Sequence, residues 1–310
     1  MAFSTHSILP THASRVDCNA DGLTDLLWTG PAGTVAVWCM SADGMSFTPG
    51  VYVQPPAGLV LRGVGDVSGG GTTDLIWQDA AGAISVGFVG KDQVSISYIS
   101  TAGAVEAVGE FNRDGHADVL THYSNGTWMA ESAEGRKIPP PGLGIIAPFS
   151  AEYHLTTAAD FDGDGRTDIL FRGTGEHAGD MLLQLPVSVF DRFNTLETAP
   201  SHIADPGPDW NVLGTGDFNG DGSADLLWQY DSGMRCMWFG SGGTFRDGGA
   251  LPDPGPDWSV VGTGDYNNDG YSDLMWRSAS QPGLHVEWLL HGTSAVCGAA
   301  FNVGAEWALG

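Results

Sequence analysis

The nine residues DFNGDGSAD, at positions 217–225, recur five more times along the chain with the same spacing of acidic residues and glycine. The other copies are DCNADGLTD from residue 17, DVSGGGTTD from 66, EFNRDGHAD from 110, DFDGDGRTD from 160 and DYNNDGYSD from 265. Their first residues lie 49, 44, 50, 57 and 48 positions apart. Four short strands and their turns take about 40–50 residues in a propeller blade. The repeat therefore predicts an all-β, six-bladed β-propeller, with seven blades less favoured.

Each unit has the same layout. A glycine-containing apolar run such as NVLGTG precedes the loop, strand-like DLLW follows it, and a polar turn leads to a second strand such as MRCMWFG. No helical period interrupts this order, and radial closure would protect the sheet edges. We predict one domain over residues 1–310, with six loops at 17–25, 66–74, 110–118, 160–168, 217–225 and 265–273.

The chain ends predict how the ring closes. Around a closed ring, 62 residues separate Asp265 from Asp17, which is more than one period and far less than two. The final EWALG matches the start of DWNVLGTGD and DWSVVGTGD, and the early SRVD matches their end. Both termini are therefore expected at the inner strand of the first blade. Residues 2–9 and 293–303 are rival candidates for an outer strand.

Charge and composition exclude several partners. The chain has 37 acidic and 12 basic residues, with a formal net charge of −25, so phosphate backbones and anionic lipid would repel it. No apolar stretch approaches the ~18 residues of a membrane span, and the first residues show no secretory signal. We expect no nucleic-acid partner and no membrane insertion.

The acidic loops have the chemistry of calcium sites. Side chains at positions 1, 3, 5 and 9 can converge around the turn that the glycine at position 6 allows, and position 7 can offer its carbonyl. Hard oxygen ligands favour Ca²⁺ over zinc or copper. An EF-hand is excluded because position 12 would have to be Glu. That position holds Trp28, Trp77, Thr121, Phe171, Trp228 and Trp276.

The predicted ligand sets differ between loops. Four are complete: Asp17, Asn19, Asp21, Leu23 and Asp25; Asp160, Asp162, Asp164, Arg166 and Asp168; Asp217, Asn219, Asp221, Ser223 and Asp225; and Asp265, Asn267, Asp269, Tyr271 and Asp273. The third loop has a longer first ligand and comprises Glu110, Asn112, Asp114, His116 and Asp118. The second loop offers only Asp66, Ser68 and Asp74, with Gly70 at position 5, and is predicted to bind weakly or not at all.

Over essentially the whole chain, the loops and the DLLW-like strands after them resemble the FG-GAP or VCBS repeat family of calcium propellers. That family includes integrin α-subunit propellers and a fungal lectin of the Psathyrella velutina type. The resemblance implies calcium in the loops and a secreted or cell-surface protein. It differs from those seven-bladed relatives in having six motifs, so their ligand sites are not transferred.

Aromatic residues point to a second kind of site. Two rows of aromatic residues on the strands after the loops are expected in the core: Trp28, Trp77, Phe171, Trp228 and Trp276, then Trp38, Trp128, Trp238 and Trp288. A third set places an acid and an aromatic residue before the inner strand: Glu152 and Tyr153, Asp209 and Trp210, Asp257 and Trp258, and Glu306 and Trp307. Such a pair can stack on a sugar ring and hold its hydroxyls, or it can simply plug the blade edge.

Three functions follow from these features. Repeated acid and aromatic pairs favour a non-enzymatic lectin that binds a carbohydrate or glycoconjugate, since repeated sites gain avidity. A protein-interaction or adhesion module is the first alternative. A sugar-processing enzyme such as a lyase is the second, although His285, Glu287, His154, His177, Glu131 and Glu134 show no recognised catalytic spacing.

The four cysteines show no zinc-site spacing. Cys18, Cys39, Cys236 and Cys297 are interpreted as small buried hydrophobic residues, with disulfides left open.

Overall fold

The computed structural model describes residues 16–41, 46–89, 94–101, 103–124, 128–131, 144–146, 152–185 and 200–309. The described residues form 24 strands in six four-stranded antiparallel sheets, which we call blades. Two short 3₁₀ turns, Pro31–Gly33 and Gly175–His177, are the helical elements in these ranges. No helix in the described part has the length and apolar character that a membrane crossing requires. The predicted all-β propeller is confirmed.

Within each blade the strands follow chain order from the inner to the outer edge, except that blade 1 takes its inner strand from the C-terminus. Blade 1 contains β24 (Ala308–Leu309), β1 (Leu26–Thr29), β2 (Val35–Met40) and β3 (Phe47–Val53); blade 2 contains β4 (Val60–Gly65), β5 (Asp74–Gln78), β6 (Ala83–Val89) and β7 (Val94–Thr101); blade 3 contains β8 (Ala104–Gly109), β9 (Asp118–His122), β10 (Trp128–Glu131) and β11 (Gly144–Ile146). Blade 4 contains β12 (Tyr153–Ala159), β13 (Asp168–Gly173), β14 (Met181–Gln184) and β15 (Ser201–Ile203); blade 5 contains β16 (Trp210–Gly216), β17 (Asp225–Tyr230), β18 (Arg235–Ser241) and β19 (Thr244–Ala250); blade 6 contains β20 (Trp258–Gly264), β21 (Asp273–Ser278), β22 (Leu284–His291) and β23 (Ser294–Asn302).

A ring of backbone hydrogen bonds joins the blades. In every loop the N–H of position 8 donates to the carbonyl of position 1 in the preceding loop. The donor and acceptor pairs are Thr73 to Asp17, Ala117 to Asp66, Thr167 to Glu110, Ala224 to Asp160, Ser272 to Asp217 and Thr24 to Asp265. The last pair returns to the first blade, so the acidic loops themselves form the joint between neighbouring blades.

Both chain ends build the inner edge of blade 1, as the sequence predicts. Leu309 pairs with Trp28 in antiparallel register, and the Asp25 N–H donates to the Val16 carbonyl at 2.6 Å. Ser294–Asn302 forms the outer strand of blade 6. The rival segment, residues 2–9, lies outside the described residues.

Glycines let the inner strands approach each other near the ring axis. A Cβ on Gly214 would lie 2.9 Å from Thr263, and one on Gly262 would lie 2.4 Å from Leu309. Side chains at these positions would therefore push neighbouring blades apart. This close approach explains the repeated LGTG and VGTG runs before the loops.

The core lies between the blades and contains both predicted aromatic rows. Trp28, Trp77, Trp228 and Trp276 are at most 1% exposed. Three of these tryptophans each pack against a tryptophan of the second row, with ring centroids 4.8–5.3 Å apart. Trp276 with Trp288 is one such pair. Burying a large apolar side chain contributes about 1.5–3 kcal/mol, so these rows are a principal source of stability.

Candidate functional site

The six acidic loops lie on one face of the ring, because each immediately precedes the second strand of its blade, counted from the inner edge. In each loop the carboxylate at position 1 accepts the backbone N–H groups of positions 5 and 6. Asp217, for example, accepts from Asp221 at 3.1 Å and from Gly222 at 2.8 Å. The glycine at position 6 has a φ of +89° there, a conformation that other residues avoid.

The second loop has the same turn without the other ligands. Asp66 accepts the N–H groups of Gly70 at 2.9 Å and Gly71 at 2.7 Å. Ser68 at position 3 donates its hydroxyl to Asp66 at 3.3 Å. The acid at position 1 and the glycine at position 6 are therefore enough to form the turn, and the remaining carboxylates need another explanation.

The aspartate at position 9 is buried beneath each loop. In blade 5, Asp225 accepts the Phe218 N–H at 2.8 Å on one oxygen and the Gly240 N–H at 2.8 Å on the other. Burial raises its pKa to about 7. Asp273 is bonded in the same way to Tyr266 and Leu290, and burial raises its pKa to about 8.

Blade 4 departs from this arrangement. Asp168 accepts the Phe161 N–H at 2.7 Å on Oδ2, but its buried Oδ1 has no hydrogen-bond partner among the described residues. In four other blades this second oxygen accepts a backbone N–H from the third strand of the blade. In blade 5 the donor is Gly240, two residues beyond the partner of the residue that follows the loop.

Three carboxylates converge at the fourth loop. Oxygens of Asp160, Asp162 and Asp168 lie within 4.8 Å of one another. Burial raises the pKa of Asp168 to about 8; the Phe161 hydrogen bond opposes this shift and the nearby carboxylates add to it. The fourth acid, Asp164, is held by the Arg166 guanidinium. A buried, unpartnered oxygen among clustered carboxylates fits a hard cation with oxygen ligands.

The other predicted ligands form local hydrogen bonds. The N–H of position 7 donates to the carboxylate of position 5 at 2.8–3.0 Å in the five loops that have an acid there. In three loops the asparagine at position 3 donates its amide to the same carboxylate at 2.9–3.0 Å; these are Asn19, Asn112 and Asn267. Asn219 instead donates to Asp225 at 3.3 Å. In the three loops with Asn19, Asn112 and Asn267, the amide oxygen at position 3 also accepts the N–H of position 5.

The opposite end of the inner strands carries the acid and aromatic pairs. Trp210 begins β16 and Trp258 begins β20, and both rings are half-buried. Asp209 is exposed and accepts the Tyr230 hydroxyl at 3.2 Å. Asp257 accepts the hydroxyl of Ser278 at 2.7 Å, and this bond contributes most to lowering its pKa.

The remaining two pairs are less alike. The Tyr153 ring is buried, and its hydroxyl lies 3.2 Å from both His177 Nδ1 and Asp180 Oδ2. The Glu152 carboxylate accepts the Glu176 N–H at 3.0 Å. Trp307 covers Gly30, where a Cβ would lie 2.7 Å from the indole. These two aromatic residues act mainly as plugs at the blade edge.

Arginines from the preceding blade hold the two DPGPDW segments, a role that we did not predict from the sequence. Arg172 on β13 makes a two-point ion pair with Asp205, with distances of 2.8 and 2.5 Å, and donates to the Trp210 carbonyl at 2.5 Å. Arg235 on β18 lies 4.8 Å over the Trp276 ring and donates to the Trp258 carbonyl at 3.1 Å. The identical DPGPDW segments mark two equivalent positions, but the sequence alone does not show which arginines hold them.

A cleft of about 850 Å³ lies beside Trp210, between the outer strands of blades 4 and 5. The aromatic residues Trp210, Trp238 and Phe245 line it, together with His202 and Asp247. Its mixture of apolar rings and a few polar groups is typical of small-molecule sites.

The residues considered for catalysis differ in exposure: His154 is exposed, His177 is half-buried, and His285 and Glu287 are buried. His285 and Glu287 on β22 are both 0% exposed. Glu287 Oε2 accepts the Ala299 N–H at 3.1 Å, while its Oε1 has no partner among the described residues. Glu131 has no described side chain, and Glu134 lies outside the described residues. In this conformation neither His285 nor Glu287 reaches a dissolved substrate.

A closed ring of antiparallel sheets with an acidic loop after each inner strand defines a repeat β-propeller. Residues 110–171 and 196–276, which contain the third to sixth loops, match the FG-GAP-like repeat family. The chain is an FG-GAP β-propeller, which confirms the resemblance carried by the loops. A propeller of such repeats suggests a binding or protein-interaction module.

Solved structures share only the fold. A protein from Bacteroides fragilis assigned as a 6-phosphogluconolactonase matches 90% of this chain and 95% of its own, with 11% identity and a TM-score of 0.50. The dihydro-heme d1 dehydrogenase NirN matches 94% of this chain at 12% identity and a TM-score of 0.46. The chain spans 56% of the length of NirN. No curated protein matches the sequence.

Proposed function

We propose that this FG-GAP propeller is a calcium-stabilised module that binds carbohydrate on the face opposite its acidic loops. The metal assignment rests on the buried Oδ1 of Asp168, which has no partner in the described part of the chain and lies beside Asp160 and Asp162. A bound Ca²⁺ would supply positive charge where desolvated carboxylates repel each other. The loops at 17, 217 and 265 supply further oxygen sets, the loop at 110 a modified one, and the loop at 66 the poorest.

Matched substitutions at position 1 test the metal. Asp160→Asn and Asp66→Asn both weaken the same turn, but only the first removes a ligand from the clustered carboxylates. Wild type should melt at higher temperature in millimolar Ca²⁺ than in chelator, because a cation that binds only the folded state stabilises it. Asp66→Asn should keep most of this calcium shift, and Asp160→Asn should lose a measurable part.

A melting temperature that chelator leaves unchanged in wild type would remove calcium from the proposal. Equal loss of the calcium shift in both variants would assign the effect to turn integrity rather than to ligands.

The carbohydrate part is supported by the geometry around Trp210. Its half-buried ring lines the cleft with Trp238 and Phe245, while Asp209 lies exposed beside it. Aromatic faces stack on the apolar faces of sugars, and nearby carboxylates accept sugar hydroxyls. Trp258 is likewise half-buried at the start of β20, and a second aromatic contact there would allow two-point attachment and a gain in avidity.

A glycan-array screen in millimolar Ca²⁺ tests the ligand. We expect selective binding that Trp210→Ala with Trp258→Ala abolishes. Tyr52→Ala is the control, because this tyrosine is 68% exposed on β3 of another blade. Melting curves establish that the double variant folds.

A blank array with wild type would overturn the carbohydrate assignment and favour the protein-interaction alternative. Binding that survives the double substitution would place the sugar elsewhere on the propeller. Because millimolar calcium is found outside the cytosol, we propose a secreted or cell-surface location; extracellular modules bind Ca²⁺ at about 10⁻⁴–10⁻³ M.

A further inference from the structure

Blade 1 brings two cysteines together at its inner joint. Cys18 occupies position 2 of the first loop, and Cys39 lies near the end of β2. Their sulfur atoms are 2.9 Å apart. Cys18 is buried and Cys39 half-buried.

The two positions that hold cysteine in blade 1 hold apolar residues in other blades. The register of β1 with β2 makes Cys39 equivalent to Phe88 in blade 2 and to Phe239 in blade 5. Cys18 is equivalent to Val67 and Phe218. In blades 2 and 5 these two positions share one hydrophobic cluster. Blade 1 replaces both members of this apolar contact with thiols.

The neighbouring strand leaves room for the sulfur pair. Gly50 on β3 has no side chain, and a Cβ there would lie 2.8 Å from the Cys39 sulfur and 3.3 Å from the Cys18 sulfur. The sulfur pair therefore packs directly against the backbone of β3.

We propose that Cys18 and Cys39 form a disulfide that fastens the first acidic loop to β2. Two thiols lose two protons and two electrons and form one S–S bond; a disulfide such as oxidised glutathione accepts them and leaves as two thiols. The cross-link lies two residues after Val16, which forms part of the joint where both chain ends meet. It would secure the closing blade covalently, independently of calcium and of any sugar.

Peptide mapping tests the cross-link directly. The protein is incubated with oxidised glutathione, denatured without reductant, alkylated and digested with trypsin. Arg15 and Arg62 bound a single peptide that contains both cysteines, and no lysine or arginine lies between. This peptide should be two hydrogens lighter and unalkylated. Further cleavage before Asp25 should leave two fragments that separate only after reduction.

The other cysteines and a paired variant are the controls. Cys297 is exposed and should alkylate in the same sample. Cys18→Val with Cys39→Phe copies the pair of blade 2, so it should fold while its melting temperature no longer responds to reductant. Wild type should melt at lower temperature after reduction, since a disulfide restricts the unfolded chain.

Alkylation of both Cys18 and Cys39 after oxidation would overturn the proposal. A metal ion bound by the two thiols, which would then still react with the alkylating reagent, would also overturn it. Asp25 lies close enough to complete such a Cys, Asp, Cys site. The glycan test and the comparison of Asp160→Asn with Asp66→Asn use other loops and residues, so they are read separately from this result.

Discussion

Glu287 is a buried acid at a position that is apolar in another blade. It pairs with Met275 between β21 and β22. In blade 5 the equivalent pair is Leu227 with Met237, so Met237 occupies the place of Glu287. Burial raises its pKa from 4.5 to about 7, against a small opposing effect of the Ala299 N–H. Asp273 and Tyr266 are the titratable groups whose pKa values its charge affects, and no salt bridge to Glu287 is present among the described residues.

The pH dependence follows from the direction of this shift. Below pH 4.5 both the folded and the unfolded chain hold the proton, so Glu287 costs nothing through ionisation. Between pH 4.5 and about 7 the unfolded chain releases the proton and the folded chain keeps it, which favours unfolding. One pKa unit corresponds to about 1.4 kcal/mol, so the loss levels off near 3 kcal/mol above pH 7.

Glu287→Gln removes the ionisation and keeps the shape. Its free energy of unfolding relative to wild type should therefore rise by about 3 kcal/mol from pH 4.5 to pH 8 and stay constant above. Glu287→Met should show the same pH dependence. Urea denaturation followed by tryptophan fluorescence, in chelator so that loop metal does not contribute, measures it.

Glu306→Gln controls for losing one charge, because Glu306 is exposed at the end of the chain. A gap between Glu287→Gln and wild type that does not change with pH would refute the raised pKa and the unpartnered burial on which it rests.

Three further predictions use other joints of the ring. Arg172→Met should lower the free energy of unfolding by about 3 kcal/mol, because it leaves the nearly buried Asp205 carboxylate without its cation. Urea denaturation measures this change, and an effect below about 1 kcal/mol would contradict a stabilising role for the ion pair. Gly222→Ala should cost about 1–2 kcal/mol because its φ is +89°, whereas Gly240→Ala should cost more, since its Cβ would lie 2.2 Å from a backbone oxygen. Deleting residues 308–310 should lower the melting temperature by several degrees, since it removes β24; an unchanged value would exclude closure through this strand.

The sequence predicted the propeller because its period, its loops and its apolar runs all agree. The meeting of both ends at blade 1 could also be predicted, since EWALG and SRVD are two halves of one repeated run. The arginine contacts could not, because Arg172 and Asp205 are 33 residues apart and neither is repeated in every unit. Likewise, nothing in the local pattern around Glu287 distinguishes a buried strand position from an exposed one. Cys297, interpreted as buried, is exposed because it lies on the outer strand β23.

The loops are both the proposed metal sites and the joints between blades, and this double role has a measurable consequence. The carbonyl of Asp160 accepts the Ala224 N–H at 2.7 Å, and that of Asp66 accepts the Ala117 N–H at 2.8 Å. A cation in the fourth loop would fix Asp160 and so reduce local opening of its joint with blade 5. Calcium should therefore slow hydrogen exchange at Ala224 well beyond any change at Ala117, measured by mass spectrometry of short peptides. The Asp160→Asn variant should lose this difference. Equal slowing at both amides would instead indicate a general stabilisation of the ring, and no slowing at Ala224 would separate the fourth loop from calcium.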